Sequence, residues 1–149
     1  MPLNAMTLPN AKAASKGRGK VAEAKVAAAL KNVPECVAKR IPDAKAGSFV
    51  AVAGDFSVKY RGRAYLLEVK QTDHNFRLPH GNVSLRQIAL MRKSMMAGVI
   101  CWVLVYHAKL DAWRLVDVEY LRTRTGGSWD LSEYATRSLN AIIEDTLNC

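Results

Sequence analysis

The sequence predicts a mixed α/β domain in which helices cover a central sheet, and two observations carry that expectation. Apolar residues recur at helical spacing in three stretches, at residues 19–30, 85–96 and 131–143. Strand-like runs fall between them, at 36–41, 48–53, 55–60, 63–70, 99–106 and 112–118. The order helix, strands, helix, strands, helix is that of a sheet flanked by helices. A length of 149 residues suits one hydrophobic core.

Each element has a local reason. The first helix is Ala-rich with Val21, Val26 and Leu30, and is expected to begin after Gly17 and Gly19 and to stop before Pro34. Residues 1–19, with two prolines and scattered lysines, read as a flexible basic arm preceding a single domain at 20–149. Arg61-Gly62 between two strand-like runs fits a tight hairpin turn. A two-residue loop pairs Tyr60 with Arg63 and sets Asp55 directly opposite Glu68, with Lys70 two residues further on the same face. Ser84 and Gln87 have capping-box spacing at the start of the second helix, whose stripe reads Leu85, Ile88, Ala89, Met95 and Met96 before Gly98 ends it. Residues 99–106 read as a fully buried strand and 112–118 as an alternating one. Leu131, Tyr134, Ala135, Leu139, Ile142 and Ile143 mark a C-terminal helix.

Composition narrows the function classes. Half of the residues are hydrophobic and 23% are charged, which suits a globular chain rather than a disordered one. The longest apolar run, residues 99–106, is far short of the roughly 20 residues of a membrane span, and the N-terminus lacks a secretory pattern, so a cytoplasmic location is expected. Three widely spaced cysteines fit reduced thiols better than a disulfide framework or a zinc knuckle. A formal net charge of +9 favours a polyanionic partner, nucleic acid first. Lys12, Lys16, Arg18 and Lys20 concentrate that charge near the N-terminus, where they can track phosphates.

Two acids opposed on one sheet face repel each other by about 0.2–1 kcal/mol, so folding alone does not favour Asp55 facing Glu68. A divalent cation removes the conflict, because Mg2+ takes oxygen ligands from one or two carboxylates plus water and substrate phosphate. Lys70 can then orient a water or balance charge on a phosphate. Glu-x-Lys is common on solvated strands, but apolar neighbours on both faces place Glu68 and Lys70 at the end of a largely buried strand. Glu23 lies on or beside the apolar stripe of the first helix, although a first-turn acid that complements the helix dipole is the commoner role. His74 and His80 have no third ligand at a recognisable spacing, so loop exposure is the simpler reading. Trp102 and Trp113 lie in core-like strands, whereas Trp129 in a glycine loop is open to base stacking.

Asp55, twelve intervening residues and then Glu68-Val69-Lys70 resemble the motif of the PD-(D/E)XK nucleases, and the element order over residues 20–106 matches their core. Gly54-Asp55-Phe56, residues 67–72 and the Gln87-bearing helix are most similar to RecU-type and phage Holliday junction resolvases. The resemblance implies a restriction-endonuclease-like core. It further implies Mg2+, with Mn2+ as a substitute, held by Asp55, Glu68 and the Val69 carbonyl, with Lys70 positioning the attacking water and Glu23 as an accessory acid. Gln71 and Thr72 would approach the DNA backbone, and Gln87 would add a hydrogen bond near the site or serve only as a cap. Gly54 stands where the motif often has proline, and the chain is short for the stalk of longer RecU proteins. The expected function is metal-dependent cleavage of branched DNA by a homodimer, with residues 99–106 or the methionine-rich second helix as candidate dimer surfaces. Another nuclease of the same superfamily and a noncatalytic basic nucleic-acid-binding module are the alternatives.

Overall fold

The computed structural model describes residues 11–42 and 54–148, with side chains from residue 19 onward. The first helix, α1 (Ala11–Lys31), starts ahead of its two glycines, not after them. Each glycine costs about 1 kcal/mol against alanine, and the alanines around them are the strongest helix formers, so the helix runs through. Residues 11–19 are therefore helical backbone, while residues 1–10 lie outside the described residues. Ala22, Val26 and Leu30, four apart, form the buried face, and Val21, expected in that face, is half exposed.

Five strands form the main sheet in the order β1 (Cys36–Arg40), β2 (Phe56–Tyr60), β3 (Arg63–Thr72), β5 (Ile100–His107) and β6 (Ala112–Asp117). The expected strand at 48–53 lies outside the described residues. β1 pairs antiparallel with β2, and β2 with β3 in the register anticipated from the turn, Tyr60 against Arg63 and Phe56 against Leu67. Arg61 and Gly62 take φ of 50° and 77°, the two positive values that a type I′ turn requires. β3 and β5 are parallel, joined by a crossover through α2 (Leu85–Met96). β5 returns antiparallel into β6. A separate two-stranded ribbon pairs β4 (Arg77–Pro79), within the crossover ahead of α2, with β7 (Ser128–Asp130), which precedes the C-terminal helix α3 (Leu139–Leu147).

Alternation along β3 and β5 divides the interior into two layers. Tyr65, Leu67, Val69, Leu104 and Tyr106 pack with α1 and α3. Leu66, Cys101, Val103 and Val105 pack with Ile88 and Met91 of α2. The stripe of α2 thus runs through Ile88 and Met91, and Leu85 and Met96, at its two ends, are exposed. β5 lies between β3 and β6, which removes it as a dimer surface. α3 begins only at Leu139, capped by the Ser138 hydroxyl, because residues 131–137 are held in irregular backbone by the Trp113–Arg137 bridge. Trp129, left open to base stacking by the sequence, is buried, with its indole N–H donated to the Thr123 carbonyl, and is not available for that role. Asp111, in the turn between β5 and β6, accepts the Tyr106 hydroxyl at 2.7 Å. Among the described residues no helix is long and apolar enough to cross a membrane.

Two features bear on the site. Gly54 has φ +84°, and a Cβ there would fall 2.6 Å from Leu66 Cδ1, so the residue before Asp55 is restricted to glycine by conformation and space. Behind the sheet's end, buried His107 and Arg114 are hydrogen-bonded to each other at 2.9 Å. His107 Nδ1 lies 2.7 Å from the His74 carbonyl, which makes that nitrogen the protonated one and Nε2 the acceptor for Arg114. Arg114 also donates to the carbonyls of Asn75 and Tyr134.

Proline fixes φ near −65°, so Gly54→Pro is expected to destabilise the protein by about 2 kcal/mol or more, read by urea denaturation. Burial, first, and the Arg114 charge hold the His107 pKa below the ordinary histidine value. The unfolded chain then binds the extra proton first, so stability present above the ordinary value of about 6.5 falls as pH drops below it. His107→Gln is expected to remove that component from the pH dependence of thermal unfolding.

Candidate active site

The hairpin register brings the acids together. Asp55, one residue ahead of β2, continues the ladder by donating its N–H to the Leu67 carbonyl at 2.7 Å. Its side chain then reaches across the adjacent backbone, where Oδ2 accepts the Val69 N–H at 2.7 Å. That bond seats the Asp55 carboxylate beside Glu68, whose side chain is on the α2 face of β3 with Leu66 and Lys70.

Glu68 is 2% exposed. Burial raises its pKa, the Asp55 charge raises it further, and Lys70 opposes both. Lys70 Nζ lies 3.1 Å from Glu68 Oε1. Gln87 Nε2 donates to the same oxygen at 3.2 Å. The amide orientation of Gln87 is set by the helix start: Oε1 accepts the Ser84 N–H at 2.9 Å while Gln87 N–H is donated to the Ser84 hydroxyl at 3.0 Å. Gln87 therefore does both things open to it in the sequence, closing the capping box of α2 and donating to Glu68.

These groups line one cavity of about 670 Å3 at the carboxyl end of β3. Lys20, Glu23, Arg40, Gln71, Thr72 and Asn82 line it as well. Glu23 comes from α1 on the opposite layer, and its carboxylate is paired with Arg40 at 2.7 Å. Arg40, at the end of β1, carries no mark in the sequence: only the β1–β2 register places it near Asp55. Gln71 Oε1 is buried without a hydrogen-bond partner among the described residues. The Thr72 hydroxyl accepts the His74 N–H, so it shapes the loop as well as the wall. Lys20 is exposed at the rim. Lys12, Lys16 and Arg18 are on the first half of α1, and their side chains lie outside the description.

The donor set suits a hard cation. Two carboxylates, Asp55 and Glu68, share the wall with the Val69 backbone, and all offer oxygen. Lys70 and Gln87 both occupy Glu68 Oε1, and Val69 occupies Asp55 Oδ2. The Gly54 N–H also hydrogen-bonds the Glu68 carboxylate. No group of three or more His, Cys, Asp or Glu side chains that could hold a metal occurs among the described residues, so the set fits an ion completed by backbone, water and substrate oxygens. His80 faces away from such a role, its ring centroid 4.5 Å from that of Trp129.

No family model and no curated protein matches this chain. Among solved structures it is similar to Hjc, a Holliday junction resolvase of the archaeal hyperthermophile Archaeoglobus fulgidus, at 20% identity and a TM-score of 0.62. The alignment covers 83% of this chain and 98% of that one. The five-stranded mixed sheet with its three helices thus has the restriction-endonuclease-like fold.

Proposed function

We propose that the protein is a divalent-metal-dependent endonuclease that cuts branched DNA and resolves four-way junctions. The observation that carries the reading is the convergence of Asp55, Glu68 and Lys70 on one wall of a cavity, within a fold similar to a Holliday junction resolvase. The likeness is to an archaeal resolvase and supports the PD-(D/E)XK superfamily, not the narrower RecU-type group anticipated from the motif.

Asp55, Glu68 and the Val69 carbonyl would hold Mg2+ or Mn2+. Bound there, the ion supplies Lewis-acid polarisation of a phosphate oxygen and a lowered pKa for water. Lys70, held 3.1 Å from Glu68 Oε1 on the cavity wall, would orient the attacking water and balance charge on the phosphoryl oxygens. Gln87 donates to the same Glu68 oxygen and so fixes the carboxylate's orientation. Glu23 and Arg40 form a charged pair on the cavity lining, where the acid would serve the ion's water shell and the arginine would meet a phosphate. Lys20 and the basic residues of the first half of α1 extend the phosphate track. Two strands must be cut to resolve a junction, so a two-fold homodimer with one site per subunit is the architecture that fits the task.

Purified protein is expected to cut a synthetic four-way junction with Mg2+ or Mn2+ and to be inactive in EDTA. Asp55→Asn and Lys70→Ala are each expected to lower the cutting rate at least about 100-fold. Cutting that survives EDTA or both substitutions overturns the site. Equal cutting of junction, flap and linear duplex favours a general nuclease of the superfamily, and binding without cutting favours a noncatalytic module.

The raised Glu68 pKa has a second consequence. The folded protein retains the Glu68 proton at pH values where the unfolded chain has lost it, so stability falls as pH rises from the ordinary glutamate range through the raised value. In EDTA, Glu68→Gln is therefore expected to raise the melting temperature at neutral pH and to leave it unchanged at pH below the glutamate range, while in Mg2+ it is expected to abolish cleavage.

A further inference from the structure

We propose that the loop at residues 73–76 is a rigid platform on which Phe76 stacks an unpaired base of the DNA at the branch. The inference rests on the nuclease reading and adds to it a contact that separates an opened strand from continuous duplex.

The loop leaves the end of β3 immediately after Lys70, Gln71 and Thr72, and Thr72, Asp73 and His74 line the cavity. Exposed connections are ordinarily the mobile part of a domain. Here the backbone is held from below at nearly every step. The Thr72 carbonyl accepts the Ala108 N–H at 3.1 Å and the Phe76 carbonyl accepts the Leu131 N–H at 2.7 Å. His107 Nδ1 meets the His74 carbonyl at 2.7 Å, and Arg114 donates to the Asn75 carbonyl at 2.8 Å. Both side chains are buried polar groups committed to this loop. Four carbonyls are thus tied to β5, the turn that follows it, β6 and the segment after β7, while residues 73–76 are all exposed.

Among those side chains is a large apolar ring. Phe76 is 43% exposed, two residues from His74 and so at most about 7 Å of chain from the cavity wall. The Arg77 guanidinium lies 5.3 Å from the ring centroid, which covers part of the ring and sets a cation beside it. An aromatic surface with an adjacent cation, two residues along the chain from the wall of the proposed metal cavity, has the chemistry of a nucleic-acid stacking site: the ring takes the base and the cation takes the phosphate. In continuous duplex both faces of each base are already stacked, so only a base freed at a branch or in a single strand can use Phe76. Because the loop is ordered in advance, stacking there loses little to ordering entropy.

The test uses the full-length protein with Ca2+ replacing Mg2+ to suppress cutting, and a four-way junction carrying 2-aminopurine at the branch, beside a linear duplex of matched sequence. Wild type and Phe76→Trp are expected to quench the 2-aminopurine, and Phe76→Ala to leave it bright. Junction affinity of Phe76→Ala is expected to fall about ten-fold or more, with duplex affinity unchanged. Unchanged melting of Phe76→Ala checks that the loop is intact, as its anchors are main-chain carbonyls. Junction binding and quenching like wild type, or equal losses on junction and duplex, overturn the platform. Failure of wild type to bind either DNA overturns platform and nuclease together. Mg2+-dependent cutting by wild type is read separately: its absence overturns the nuclease reading, and its presence without an effect of Phe76→Ala removes the platform alone.

Discussion

The register of one hairpin governs the chemistry of this protein. Arg61 and Gly62 form a two-residue turn, and a two-residue turn leaves one choice of partner for each residue of β2. A slip of one position would carry Glu68 to the layer packed by α1 and α3 and bring Val69 to the cavity. The turn therefore decides that a carboxylate next to Gly54 and a carboxylate thirteen residues later share a face. Their proximity is unfavourable for the folded chain, since Glu68 is buried and its charge is opposed by desolvation and by Asp55. An arrangement that costs stability and converges oxygen donors is one that binding of a cation can offset.

The rest of the fold holds this arrangement in place. The parallel pairing of β3 and β5 requires a crossover, and the crossover helix α2 starts at the cavity. Its first turn would leave N–H groups unpaired, and Gln87 solves that with one end of its amide and fixes Glu68 with the other. On the far layer, α1 contributes Glu23 while its buried face of Ala22, Val26 and Leu30 packs on the sheet. Small residues there allow the helix to approach closely and bring its carboxylate to the cavity edge. Beyond the site, the His107–Arg114 pair converts the exit of β3 into fixed backbone.

Much of this was legible in the sequence, and the boundary has physical causes. Elements defined by short-range signals were readable: the Arg61-Gly62 turn, the Ser84–Gln87 box, the apolar run of β5 and the glycine that ends α2. The opposition of Asp55 and Glu68 followed from turn length alone. Features decided by tertiary competition were not readable. The start of α1 depended on whether alanines outweigh two glycines, and the start of α3 on a bridge between Trp113 and Arg137 that no local pattern announces. Met91 displaced Leu85 and Met96 from the buried stripe of α2, because at helical spacing several faces of a methionine-rich helix are equally apolar. Arg40 and the His107–Arg114 pair became visible only once strand order had brought distant segments together.

The most direct measurement is a calorimetric titration of the DNA-free protein with Mn2+. Wild type is expected to show saturable binding, and Asp55→Asn and Glu68→Gln each to weaken it by about ten-fold or more, since each removes a ligand charge from a set of two. Absence of Mn2+ binding to wild type at millimolar concentration, or binding unaltered by both substitutions, would contradict the claim that the hairpin register builds a cation site.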